Sequence, residues 1–543
     1  MTTRDADVII IGSGAGGMAA AVALAQAGKR VLVLERHYLP GGWCHSFEMG
    51  GYHFSPGVHY VGGLNPGGRL HEVYEGLGID LLFHELNPDG YDHLRIGDER
   101  FDIPKGREAL IERYQQRFPK EKSGIEKYFR YVSRAAAELD DISERVTLMD
   151  HLMLPWRMKN VVRWGMMRLQ PYMDKFLSDP LLKGFLSMQA GDYAIAPSQA
   201  PMILHAAIHA HYFEGAYYPR GGGRSIPKAF IRQLRAHGGK IEVKSEVSRI
   251  LLEGKTVKGV QLTDGTQISA PVVISNADPE VTYGKLIGRD KLPPKLVRKL
   301  DRTVWSTSCL SMFMAADLGE NPEGLDSGNY WYADNPDIDN MYLQSNNPTA
   351  LDEAPELPGT FVSIPSLKDR TKQKGSIHTV ESFVFVPWET TAKWEGTPMD
   401  DRPADYLDFK ERTMDKMVAV ADKVVPGLAD SVVFRELGTP LTNRHYCGGH
   451  QGNMYGTNHT RDQIGPFGFD WETPFDGLYL CGASTLSHGV SGATISGIQT
   501  AGQVMGCRAD VLLTGKGTVK TMLASEVARA EAKTSSRGPI QGS

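Results

Sequence analysis

Residues 8–35 leave the N-terminal fold little freedom. Val8-Ile9-Ile10-Ile11 is a β-branched run that reads as a buried strand. Gly12-Ser13-Gly14-Ala15-Gly16-Gly17 follows and fits GxGxxG. Residues 18–27 are alanine-rich and helical, and Gly28 stands where a helix would stop. Val31 to Leu34 reads as a second strand, ending at Glu35. Gly12 allows the tight turn, Gly14 lets the backbone approach a pyrophosphate, and Gly17 lets helix and strand pack closely. The helix start, from Ser13 through Ala15 and Gly16, offers N–H groups and the positive dipole end to phosphates. Glu35, 18 residues past Gly17, suits a ribose without a 2′-phosphate. FAD and NAD both meet that description.

Residues 8–28 carry no charge and match a bilayer in length, so a membrane span has to be weighed. Arg4 is offset by Asp5 and Asp7, which denies a basic leader, and four glycines interrupt the run near its start. A buried strand with its packed helix explains the stretch better, and the sequence predicts no transmembrane helix and no signal peptide. Net charge is −5 over 543 residues, which argues against a nucleic-acid partner. Five scattered cysteines without a CxxC pair suit a reducing compartment, read as cytoplasmic.

Beyond Glu35 the chain continues with Arg36, Gly41-Gly42 and Ser46, giving ERxxxxGGxxxS. This resembles the extended N-terminal signature of the FAD-dependent amine oxidase and phytoene desaturase superfamily. The resemblance implies that the Gly41-Gly42 pair passes beneath a flavin, with Arg36 near the phosphates. It implies that the strand opening at Val247 reaches the adenine. Gly477-Leu-Tyr-Leu-Cys-Gly482, followed by a helix opening at Gly489-Val490-Ser491-Gly492-Ala493, resembles the C-terminal flavin signature. There the helix start faces the flavin edge and stabilises negative charge on it.

The expected fold class is α/β. A discontinuous Rossmann-like FAD domain is predicted over 1–85, 217–300 and 436–515, and an α+β substrate domain over 86–216 and 301–435. Residues 309–314 and 383–386 are strand-like and suit a sheet over the flavin. The tail from 516 to 543, rich in Ala, Ser, Lys and Gly, is expected to fray.

Further motifs narrow the resemblance. Residues 54–62, FSPGVHYVG, resemble the GxHYxG segment of retinol saturases. Pro440-Leu441-Thr442-Asn443 with Tyr446, Tyr455-Gly456 and His459 resembles a stretch shared by retinol saturases and carotenoid isomerases. Asn276-Ala277-Asp278-Pro279 resembles the carotenoid desaturase and isomerase branch. The final loop departs from retinol saturase in reading Leu486-Ser487-His488. The resemblance implies a hydrophobic isoprenoid or polyene substrate, non-covalent FAD, and saturation, desaturation or cis-trans isomerisation of C=C bonds. NAD(P) or a quinone would enter only as external electron partner. His59, Tyr60, Glu214 and His488 are the candidate proton-handling residues, His59 first among them.

Residues 151–175 interleave Met153, Met158, Met166, Met167 and Met173 with Trp156, Trp164, Arg157, Lys159, Arg163 and Arg168. The pattern suits peripheral membrane contact, and equally a core helix with a basic outer face. His205, His209 and His211 lie close together, but no acidic ligand accompanies them in an HExxH frame, so packing is favoured and no metal is expected. Two other readings compete: an amine oxidase, opposed by the PLTN and NADP segments, and a prenyl-binding escort protein on the same fold, opposed by the intact glycine signatures.

Overall fold

The computed structural model describes residues 6–143 and 158–527. Five short parallel strands form the first sheet, ordered Leu478–Leu480, Val272–Ser275, Val8–Ile11, Val31–Leu34, Lys240–Glu242. Its side chains alternate between two cores. Val8, Ile10, Val31 and Val33 face the helices, while Ile9, Ile11, Leu32 and Leu34 face the antiparallel sheet built from Val247–Glu253, Thr256–Leu262 and Gln267–Ser269. Both faces are covered, which is why Val8–Ile11 and Val31–Leu34 are apolar throughout rather than alternating.

The helix Ala15–Gln26 is buried from Gly16 through Ala25. Its alanines let it lie close against the helix Gly489–Met505, the two meeting where Gly497 touches the Gly16 backbone. Two glycine signatures more than 450 residues apart are thus brought side by side.

A seven-stranded mixed sheet stands apart from the first. Its order is Val432–Gly438, Ser308–Asp317, Ile377–Val386, Gly359–Ser363, Asn329–Ala333, Asp92–Ile96, Glu99–Ile103. Ser308–Asp317 and Ile377–Val386 pair antiparallel over ten residues each. One face packs its own helices through Met312, Val362 and Val380. The other presents Trp331, Phe361, Phe383 and Phe385 to a helical cap drawn from residues 107–213.

Residues 519–523 depart from the expectation of a fraying tail. Val519–Leu523 pairs in parallel with Leu81–Glu85, which pairs in turn with Tyr217–Pro219. Val519 is buried, and the segment closes an edge that Leu81–Glu85 would otherwise leave open. Residues 528–543 lie outside the described residues.

Of the Met/Trp-rich stretch, residues 151–157 lie outside the described residues. In the rest, Leu169, Tyr172 and Met173 are buried. Trp164 packs on Tyr172 and Phe176, with Arg163 and Lys175 over its ring at 4.7 and 4.9 Å. Val162 and Met166 remain 63% and 41% exposed. No helix among the described residues is long and apolar enough to cross a membrane.

Candidate active site

One cavity of about 2170 Å3 joins the two sheets. Single small-molecule sites usually occupy about 300–1,000 Å3, so there is room for a dinucleotide and a second, elongated molecule. Residues 12–16, Glu35, Arg36, Gly41, Gly42, Val247, Gly482, Gly489, Val490, Ser491 and Ala493 all line it. Gly17 does not. A Cβ there would stand 2.3 Å from the Gly12 carbonyl oxygen and 3.2 Å from Ile10, so this glycine serves helix–strand packing.

The residues at this end fit a dinucleotide. The helix Ala15–Gln26 starts at Gly14 without a side-chain cap, so its first N–H groups are available to an anion. A Cβ at Gly14 would meet Asn276 Nδ2 at 2.7 Å, and one at Gly16 would meet Asn276 Oδ1 at 2.8 Å. The backbone is therefore pinned close to the cavity with no side chain in the way. Glu35 is buried on the cavity wall. Its Oε2 accepts from the Ser13 N–H at 3.0 Å and hydroxyl at 2.6 Å, and its Oε1 accepts from the His37 N–H at 2.8 Å. Each oxygen keeps acceptor capacity for a ribose hydroxyl. His37 Nε2 is buried at the same end without a partner. Arg36 is already engaged: its guanidinium donates to the carbonyls of Arg444 and His445 and ties down the end of the helix Pro440–Cys447.

At the other end the cavity turns apolar, past Phe361 and Phe383 to Ile203, Leu204, Ile208, Met158, Val162 and Met166. The candidate proton-handling residues divide there. His59 lies beside Phe361 and Phe383, its Nδ1 3.2 Å from Glu381 Oε2 but poorly aligned for a hydrogen bond. Glu381 is 1% exposed and accepts from the Ser55 N–H at 2.7 Å. The buried Lys368 donates to the His59 carbonyl at 2.8 Å, and burial pulls its ammonium down to about 7. Tyr60 places its hydroxyl 2.9 and 3.0 Å from the two oxygens of Asp192.

Glu214 is exposed at the rim. His488 is buried on the cavity wall. Burial pulls it down to about 4, so it is neutral near pH 7. Its Nε2 lies 2.9 Å from the Asp192 carbonyl, which can only accept, so Nε2 carries the proton. Nδ1 is then a bare acceptor, buried and without a partner, on the cavity wall. His459, pulled down to about 3, packs on its ring at 4.7 Å. Among the former histidine cluster, His205 bonds the Tyr193 hydroxyl and the Leu186 carbonyl at 2.7 and 2.9 Å, and His211 accepts from the Gly62 N–H.

Sequence reasoning singled out the Asn276 and Pro440 motifs without giving them work. Asn276 fills the space that Gly12, Gly14, Gly16 and Gly482 leave. Asp278 accepts from the His450 N–H at 2.6 Å and Asn453 Nδ2 at 2.7 Å, holding the loop that lines the cavity. Asn443 donates to the Cys309 carbonyl at 2.9 Å, and the Tyr455 hydroxyl donates to the Gly191 carbonyl at 3.1 Å. Asp192 itself was missed: it stands inside a glycine- and tyrosine-containing turn with no motif around it.

The profile described as "Flavin containing amine oxidoreductase" matches residues 15–349. An "All-trans-retinol 13,14-reductase" of Danio rerio is 30% identical over 92% of this chain and 86% of its own. A "Prolycopene isomerase, chloroplastic" of Arabidopsis thaliana is 29% identical over 94% and 84%. Among solved structures, an oxidoreductase from Methanosarcina mazei superposes with a TM-score of 0.61 at 18% identity, covering 92% of this chain and 99% of that one. With the profile spanning more than half of the chain and the glycine loop, acid and second helix meeting at one cavity, the chain belongs to the flavin-containing amine oxidoreductase family.

Proposed function

We propose that this protein binds FAD non-covalently along residues 12–16, Glu35, Arg36, Gly41, Gly42, Val247, Gly482 and residues 489–493, and acts on a C=C bond of a hydrophobic polyene. One observation carries the reading: a single cavity runs from the glycine loop into a long arm lined by aromatic and aliphatic side chains. The relatives named above are called after retinol and prolycopene, both polyenes, which supports that substrate class. The five-stranded sheet with the pieces 1–85, 217–300 and 436–515 would hold the cofactor, and the pieces 86–216 and 301–435 the substrate.

Bound FAD would supply hydride transfer to or from carbon, with NAD(P) or a quinone as external electron partner. The chain's own contribution is position and electrostatics. Phe361 and Phe383 flank the polyene arm beside His59. The start of the helix Gly489–Met505, which has no side-chain cap, would favour negative charge at the cofactor edge. Attachment through a cysteine is disfavoured at Cys44, a cavity thiol that burial pushes up to about 12. The exposed Val162 and Met166 at the far arm, beside Lys159 and Arg163, suit peripheral membrane contact where a lipid substrate would arrive, on a cytoplasmic protein.

The test is chromatography of products after anaerobic incubation of the flavin-loaded enzyme with retinoids, carotenoids and, separately, primary amines. Polyene products without amine oxidation support the reading. Amine oxidation without polyene change refutes it.

A further inference from the structure

We infer that Asp192 is the acid of this site, held on the cavity wall by Tyr60 and placed to deliver a proton to a carbon of the double bond. The inference rests on the polyene reading above and adds a residue to it.

The geometry around the carboxyl is specific. Asp192 ends the short helical turn Met188–Asp192 and lines the cavity. The Tyr60 hydroxyl lies within hydrogen-bond distance of both its oxygens. Tyr60 is fixed in turn by stacking on Tyr212 at 4.6 Å between ring centres, 14° apart in plane. The Asp192 backbone carbonyl accepts from His488 Nε2, and His488 immediately precedes the helix Gly489–Met505. The backbone that carries the carboxyl is therefore tied to the residue at the start of the helix proposed to face the cofactor.

Its surroundings favour the neutral acid. No ion pair reaches Asp192 among the described residues, and its charged neighbour is a second carboxyl, Asp92. Tyr60, Tyr193, Tyr212, Tyr342 and Tyr455 surround it, all pushed above the ordinary tyrosine range by burial. Lys368, the nearby buried cation, serves Asn329, Ser363 and the His59 carbonyl instead. Burial moves Asp192 well above the ordinary carboxylate range, Asp92 adds to the effect, and the Tyr60 hydrogen bond opposes it. A carboxyl biased towards its neutral form can donate. His488 cannot, since its cavity-facing nitrogen is the bare one.

The proton step balances within the site. The Asp192 O–H bond breaks and a C–H bond forms on the polyene, leaving a carboxylate and a delocalised cation. In isomerisation the C–C bond rotates, a proton of the same carbon returns to the carboxylate, and no electrons are exchanged. In saturation a hydride completes the product, and the carboxylate regains its proton from water.

The experiment compares flavin-loaded wild type, D192N, D92N, Y60F and H59Q. Infrared spectra near pH 7 should show a protonated-carboxyl C=O band that D192N removes, D92N retains and Y60F shifts. Recovered polyene should gain deuterium from D2O with wild type. D192N should lose turnover and deuterium uptake by about 100-fold or more, with its flavin absorption intact. Y60F keeps the acid and should retain part of the turnover, which guards against a folding defect in D192N. Unchanged turnover in D192N, or a carboxyl band untouched by it, overturns the inference, as does loss confined to H59Q. A wild type that loads flavin yet converts no polyene sinks the polyene reading and the carbon-protonation step with it, while the infrared band still reports the acid.

Discussion

Replacing Gly497 by alanine tests the geometry on which the cofactor site depends. A Cβ at this position would stand 2.0 Å from the Gly16 carbonyl oxygen, 2.8 Å from its carbonyl carbon and 3.0 Å from its Cα. All three are backbone atoms, so no rotamer change relieves the clash. Reaching ordinary contact at 3.4 Å requires the two helices to part locally by 1.4 Å. Two effects oppose each other. Alanine favours a helix interior over glycine by about 1 kcal/mol. Overpacking a tight core costs about 1–3 kcal/mol and occasionally more. A rigid backbone contact belongs at the upper end, so overpacking wins by about 2 kcal/mol. The displacement falls between Gly16 and the helix that starts at Gly489, both on the cavity wall, so the loss should appear in cofactor affinity as well as stability. A deficit of 1–2 kcal/mol corresponds to roughly 5- to 30-fold. Flavin retention after gel filtration and the melting temperature should both fall in G497A. Gly396, with nothing within 4 Å and no left-handed φ, is the control, and G396A should match wild type. Full flavin retention with an unchanged or raised melting temperature in G497A would refute the reasoning.

Three further outcomes are expected. Glu35→Gln removes a charged acceptor already bonded to Ser13 and His37; at about 1.5–3 kcal/mol for such bonds, FAD affinity measured by fluorescence titration should drop about tenfold or more. Acid should destabilise the fold: His209, His211 and His488 are held at about 4 and His459 at about 3 against an ordinary 6.5. Between those values the unfolded chain binds more protons, so stability falls as pH drops from 6.5 towards 4, by about 2 kcal/mol at pH 5 for a histidine held at about 4. Melting temperature should track this, H459Q/H488Q should flatten the slope, and a wild-type profile level from pH 7 to 5 would contradict it. Serine at both Val162 and Met166 removes two exposed apolar side chains, each worth about 1.5–3 kcal/mol when fully buried; vesicle sedimentation should weaken about tenfold, and unchanged sedimentation would remove the membrane contact.

The nucleotide end was legible because its chemistry is local. Turn, helix start and acid lie within 28 residues, and each demands a particular residue type at a particular spacing. The proton-handling end was not, because its groups acquire their properties from distant partners. Asp192 is an ordinary acid in sequence and becomes a buried carboxyl bonded to Tyr60, 132 residues away. His488 was a proton-handling candidate in sequence, and only the Asp192 carbonyl, 296 residues away, shows which of its nitrogens carries the proton. The closing strand Val519–Leu523 was hidden for the same reason: Leu81–Glu85, its partner, lies more than 430 residues earlier. The packing role of Gly17 was legible from its motif position, and a Cβ there would stand 2.3 Å from the Gly12 carbonyl oxygen.

The central claim is that FAD and a polyene share one cavity and react there. Anaerobic absorption spectroscopy tests it directly: the reduced, flavin-loaded protein is mixed with all-trans-retinol or a cis-carotenoid, and flavin and polyene bands are followed together. The account predicts a flavin spectrum in the purified or reconstituted protein and a change in the polyene bands. Shortened conjugation accompanied by flavin reoxidation would mark saturation, and an altered band shape with flavin still reduced would mark isomerisation. A protein that cannot be loaded with flavin, or a loaded one that leaves every polyene band unchanged, would contradict it.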